Sequence, residues 1–137
     1  MAATRATRQR LGACVRVTSA RGLPLASEVA DHLAALGMTI RGGYGAVEHL
    51  CATMQGDGDH ARDAGAPMPG TELRVAGDGE ILVKRSALTF AGYHDRAAAT
   101  RDAFTDDGLW LRTAERGDLL PNGHLRLHGS PVPPRPA

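Results

Sequence analysis

Apolar and polar positions alternate in short stretches along this chain, and one stretch in its first half carries the spacing of a helix. From Ser27 to Leu36, the apolar residues Val29, Leu33 and Leu36 recur at i, i+4 and i+7, which puts them on one face of a helix. Ser27 is a capping residue type at the start, and Gly37 suits the left-handed position after the end. Cys14-Val15-Arg16-Val17-Thr18 alternates and is β-branched, which predicts a strand, and Met38-Thr39-Ile40 predicts another after the helix. Strand, helix, strand is the unit from which parallel sheets are built.

The pattern changes at Gly56-Asp57-Gly58-Asp59, a polar stretch poor in large apolar residues, and a subdomain boundary is expected between there and Gly65. Beyond it, strands are predicted at Glu72–Val75 and Glu80–Lys84, joined by the hairpin signal Gly77-Asp78-Gly79. A short helix over Arg96–Phe104, a strand at Trp110–Thr113 and a hairpin through Pro121-Asn122-Gly123 into His124–Leu127 complete a β-rich half. Pro131 to Ala137 contains four prolines and reads as an irregular tail. The expected class is α/β, the end of a parallel-sheet subdomain followed by a small distorted β-barrel subdomain. The expected divisions are 1–10 (a helix end or disordered arm), 11–64 (partial α/β), 65–129 (barrel) and 130–137 (tail).

Composition narrows the functional classes. At 137 residues and 42% hydrophobic, the chain can be one domain or a portion of a larger protein. Sixteen basic residues against fifteen acidic ones leave a net charge of +1, so no basic field points to nucleic acid. Cys14 and Cys51 lack paired-ligand spacing, which argues for a reducing, cytoplasmic setting rather than a disulfide scaffold. Arg5, Arg8 and Arg10 precede the first acid, Glu28, as in a transit peptide, but no signal-like apolar run follows. No segment approaches the roughly 20 apolar residues of a membrane span.

The candidate chemistry lies in Gly42-Gly43-Tyr44-Gly45-Ala46-Val47-Glu48-His49. Taken alone this is a glycine turn, and it is not a dinucleotide fingerprint because the third glycine is missing. Asp57, Asp59 and Asp63 imitate the start of a calcium loop, but Met68 stands where the closing glutamate belongs. His49, Cys51 and His60 have no regular metal-ligand spacing.

Five segments in order resemble the AMP-forming, adenylate-forming superfamily, in particular its long-chain fatty acyl-CoA synthetases. Ser19-Ala20-Arg21-Gly22-Leu23-Pro24-Leu25 is similar to Ser-Gly-Gly-Ala-Pro-Leu, with Arg21 where the family has glycine. Tyr44-Gly45-Ala46-Val47-Glu48 is similar to Tyr-Gly-x-Thr-Glu. Gly65 to Val75 with Gly79-Glu80-Ile81 resembles the entry to the family's small barrel. Gly92-Tyr93-His94-Asp95 with Thr100 and Phe104 resembles Gly-Tyr-x-Asn-x-x-x-Thr-x-x-x-Phe. Trp110 to Leu119 matches Trp-x-Arg-Thr-Gly-Asp-x-Gly, with Ala114 for glycine and Glu115 for aspartate.

The resemblance implies that Gly22 and Leu23 pass along adenine, that Gly43, Tyr44 and Gly45 belong to the nucleotide turn with Tyr44 stacked on the base, and that Glu115 holds the ribose. Asp118 replaces Glu115 only if the turn is shifted by three residues. Glu48 is the implied magnesium ligand, and Val47 takes the place of a threonine that contacts phosphate, so one hydrogen-bond donor is lost. ATP, Mg2+ and fatty acid are implied, with CoA as co-substrate. The family's phosphate loop belongs upstream of Thr18 and its C-terminal hinge at Gly129, so these residues alone are expected to be inactive. The competing expectation is a non-catalytic nucleotide-binding or protein-interaction remnant, with self-association or a complementing chain.

Overall fold

The computed structural model describes residues 6, 7, 9, 10, 12, 17–21, 26–56, 59 and 63–128. The expectations for Cys14, Gly22, Leu23, Asp57, His60, Gly129 and the tail fall outside them.

Strands β1 (Val17–Arg21) and β2 (Thr39–Tyr44) run parallel, with Val17 opposite Thr39 and Arg21 opposite Gly43, and helix α1 (Ser27–Ala35) makes the connection. The cap position falls to Ala26, one residue before the expected Ser27, and no side chain caps the helix. Its other end stops as expected. Gly37 takes φ 71, and the amides of Gly37 and Met38 turn back to the carbonyls of Ala34 and Leu33, closing the last turn.

Strand β2 runs four residues past Ile40, because Gly42 and Gly43 are ladder residues rather than turn residues. Gly42 lies opposite Ala20, and Gly43 lies between Arg21 and Met54. Two further strands, β3 (Thr53–Met54) and β4 (Asp63–Pro67), carry the sheet through the stretch expected to be a boundary. Then come β5 (Leu73–Val75), β6 (Glu80–Lys84), the short helix α2 (Ala97–Asp102), β7 (Trp110–Leu119) and β8 (Leu125–Leu127). The strand order is β1-β2-β3-β4-β8-β7-β6-β5, antiparallel except for β1 and β2. The class is α/β, and the eight-stranded sheet is not closed.

The sheet nevertheless curls. Tyr44 from β2 shares one core cluster with Ile81 and Val83 from β6, Leu111 from β7 and Leu125 from β8. Burial of these side chains supplies the main favourable free energy. Trp110 is nearly covered at the start of β7, with the Arg74 guanidinium 4.2 Å above its ring. No helix among the described residues is long and apolar enough to cross a membrane.

Candidate functional site

The end of β2 is shaped by close backbone approaches. A Cβ at Gly43 would meet the Thr53 carbonyl oxygen at 2.8 Å, and one at Gly45 would collide with the Leu50 carbonyl. Packing therefore requires glycine at both positions, whatever else the turn does. The Ala52 amide bonds the Tyr44 carbonyl at 2.8 Å, and Leu50 takes φ 47, which folds the 45–51 turn tightly on itself.

Tyr44 points inward, 5% exposed, with its amide donating to Thr53 Oγ1 at 3.2 Å. Its ring meets His49 at 5.9 Å between centroids. Its hydroxyl has no partner at hydrogen-bond distance, although Thr113, Glu115 and Glu48 stand close enough to influence its ionisation. Burial first, and then the two carboxylates, push its pKa up, outweighing the hydroxyl of Thr113. Tyr44 thus stays protonated and offers a ligand little of its ring face.

Glu48 is half-buried. Its Oε1 accepts the Tyr93 hydroxyl at 2.7 Å, and its carbonyl accepts the Phe90 amide at 2.7 Å. Phe90 in turn packs edge-on against Tyr93 at 4.8 Å. The Gly92-Tyr93 segment, given no chemistry in the sequence, therefore orients the acidic side chain. Val47 projects at the turn tip, 87% exposed. His49, two residues on, is 3% exposed, with Nε2 unpartnered. Burial holds its pKa below the usual imidazole value, against the pull of its own backbone carbonyl and of Glu48, so it is neutral.

Strand β7 brings Thr113 and Glu115 to the same place. Thr113 Oγ1 donates to the Ile81 carbonyl at 2.7 Å and accepts the Glu115 amide at 3.2 Å. Ala114 between them adopts φ 58, and its amide donates to Glu80 Oε1 at 2.9 Å. Glu115 is half-buried. Asp118, the alternative ribose ligand, faces His128 instead. Tyr44, Glu48, Thr113 and Glu115 are thus gathered from two distant segments. Three contributors were missed in the sequence: Thr113 and Tyr93, whose matched motifs were the available signal, and Glu80, whose only signal was a carboxylate heading an Ile-Leu-Val run.

No group of three or more metal-ligating side chains occurs among the described residues. Glu48 offers a single hard oxygen ligand, with its other oxygen engaged by Tyr93. That suits magnesium, which takes one or two protein carboxylates and completes its shell with phosphate and water. Cys51 is free and directs its Sγ to the Thr53 carbonyl at 3.3 Å.

No protein-family model matches the chain. Among curated proteins it is similar to the long-chain-fatty-acid–CoA ligase FadD15 of Mycobacterium tuberculosis (strain ATCC 25618 / H37Rv), 35% identical over 127 residues, which cover 91% of this chain and 21% of that protein. It is similar to long-chain-fatty-acid–CoA ligase 1 of Homo sapiens, 36% identical over 132 residues, covering 85% and 18%. Among solved structures, a malonyl-CoA ligase with methylmalonyl-CoA and AMP bound matches with a TM-score of 0.73 at 33% identity, covering 86% of this chain and 28% of that one. A Mycobacterium tuberculosis fatty acyl CoA synthetase matches with a TM-score of 0.74 at 26% identity, covering 94% and 29%. The chain spans about a fifth of the length of these curated relatives.

Proposed function

We propose, from the premise that this chain belongs to the AMP-binding, adenylate-forming superfamily, that it forms part of the nucleotide side of a long-chain fatty acid–CoA ligase. In that reaction, ATP and a fatty acid carboxylate give an acyl-adenylate and pyrophosphate, and the CoA thiol then displaces AMP. The reading is carried by the meeting of Tyr44, Glu48, Thr113 and Glu115. In it, Glu115 accepts hydrogen bonds from the ribose hydroxyls, and Tyr44 lines the floor beneath the base. Gly22 and Leu23 run along the base edge, and Gly43, Gly45 and Val47 shape the turn beside it. Glu48 is the magnesium ligand, held in place by Tyr93. Magnesium, when bound, offsets the charge of the phosphate oxygens. The two halves of the sheet, meeting near residue 64, are the two subdomains in this reading. A cytoplasmic setting agrees with the free Cys51.

These 137 residues contain neither the family's phosphate loop nor its mobile-domain lysine, so a polypeptide of them alone binds but does not turn over. Calorimetric melting with and without magnesium and a non-hydrolysable acyl-adenylate mimic tests the site. At a hundredfold excess over Kd, the expected stabilisation is about 2.7 kcal/mol, and Glu115→Ala should abolish it. No shift in the unaltered chain would favour the second reading, a non-catalytic interaction remnant. That reading is supported by Val47, which offers an exposed apolar side chain in place of a hydroxyl. Palmitate-dependent pyrophosphate release from the purified chain would overturn the expected inactivity.

A further inference from the structure

We infer that Glu80 is a positioning residue, whose buried carboxylate holds a bulge in β7 and thereby aims Glu115 at the nucleotide. This rests on the ribose-binding role proposed above for Glu115. Leu82 pairs with Arg112, yet Glu80 pairs with Arg116, so β7 advances four residues while β6 advances two. The extra residues fall within Thr113, Ala114 and Glu115, where they redirect the side chains the site uses.

The bulge turns on Ala114, whose φ of 58 is a left-handed conformation. A residue with a Cβ persists there only when its surroundings hold it. Glu80 supplies that hold, since Oε1 accepts the Ala114 amide at 2.9 Å while Oε2 takes Arg112 Nη1 at 3.3 Å. The Glu80 side chain is 11% exposed, and a charged acceptor shielded from water binds an amide more strongly than a neutral one. On either side of Ala114, Thr113 Oγ1 donates to β6 and takes the Glu115 amide. Glu115 therefore leaves the strand in a direction fixed through Ala114 by Glu80. A glycine at 114, as the family motif has it, would adopt the bend unaided. Alanine makes this chain depend on the carboxylate.

Amide hydrogen exchange of the full 137-residue chain, without ligand, reads the clamp directly. Glu80→Ala should speed exchange at Ala114 roughly tenfold or more through local opening, while Ala114→Gly should remove most of the dependence of the bulge on Glu80. AMP with magnesium reads its consequence: Glu80→Ala should weaken AMP binding about tenfold, and the Glu80→Ala, Ala114→Gly double variant should recover most of it. Should Glu80→Ala not fold, Glu80→Gln keeps an acceptor, loses the charge and serves the same comparison. Unchanged exchange at Ala114 in the Glu80 variant overturns the clamp, and lowered stability with unchanged AMP affinity overturns the positioning role. If the unaltered chain binds no AMP while Ala114 exchange still follows Glu80, the clamp stands and the ribose role of Glu115 falls.

Discussion

On β6, the four consecutive residues from Glu80 to Val83 are buried, whereas across α1 and β2 together Tyr44 is the one buried residue among the described side chains. The antiparallel half folds its strands over one another and makes its own core. The parallel unit has a regular ladder, yet Val29 on the apolar stripe of α1 remains 45% exposed. The first half is therefore held by backbone pairing and by the attachment of Tyr44 to the other half's core. A candidate site lying between them joins a rigid wall, β7, to a less supported one, the 45–51 turn.

The largest test of this contrast is truncation on each side, measured by denaturant unfolding followed by circular dichroism. Ile81→Ala should cost about 2–5 kcal/mol, and Leu33→Ala less than about 1 kcal/mol. Equal costs would erase the distinction. Next is Gly45→Ala, which forces a Cβ against the Leu50 carbonyl. Overpacking there should cost roughly 1–3 kcal/mol, and a neutral result would mean that the turn is looser than described.

Ala114→Gly probes the rigid wall in the opposite sense. Relief of the left-handed alanine outweighs the added chain entropy of glycine, so stability should rise by roughly 0.5–1 kcal/mol; a loss would show that φ 58 is unstrained. The smallest effect is expected from His49→Leu. The unfolded imidazole titrates near pH 6.5 and the folded one lower, so the unfolded state binds more protons as pH falls through this interval. The stability contributed by His49 is full above about pH 6.5 and is lost as pH falls through the folded value. The variant should flatten that acid limb of stability, and an unchanged limb would assign it to other groups.

The legible parts of the fold share a physical reason. The α1 stripe, the Gly77-Asp78-Gly79 hairpin and the Glu80–Lys84 strand each carry their signal within a few consecutive residues. Strands β3 and β4 do not. β3 is two residues long, too short for any period, and β4 contains Gly65 and Pro67, which read as turn residues. The glycines of β2 misled for a related reason, since Gly43 answers to the approach of β3 and Gly42 to the Gln55 side chain, neighbours in space rather than in sequence. Glu48 and Glu115 were singled out through motif resemblance, and the fold places both close enough to Tyr44 to influence it. The bulge that presents Glu115 was not, because it exists only in the register between two strands.

The chain contains one tryptophan, Trp110, lodged under Arg74 at the start of β7. Its intrinsic emission is a witness stationed wholly in the self-sufficient half. If the parallel unit melts first, indole fluorescence will stay silent while helical ellipticity falls. Coincidence of the two signals would mean instead that the tether through Tyr44 makes the halves one cooperative unit.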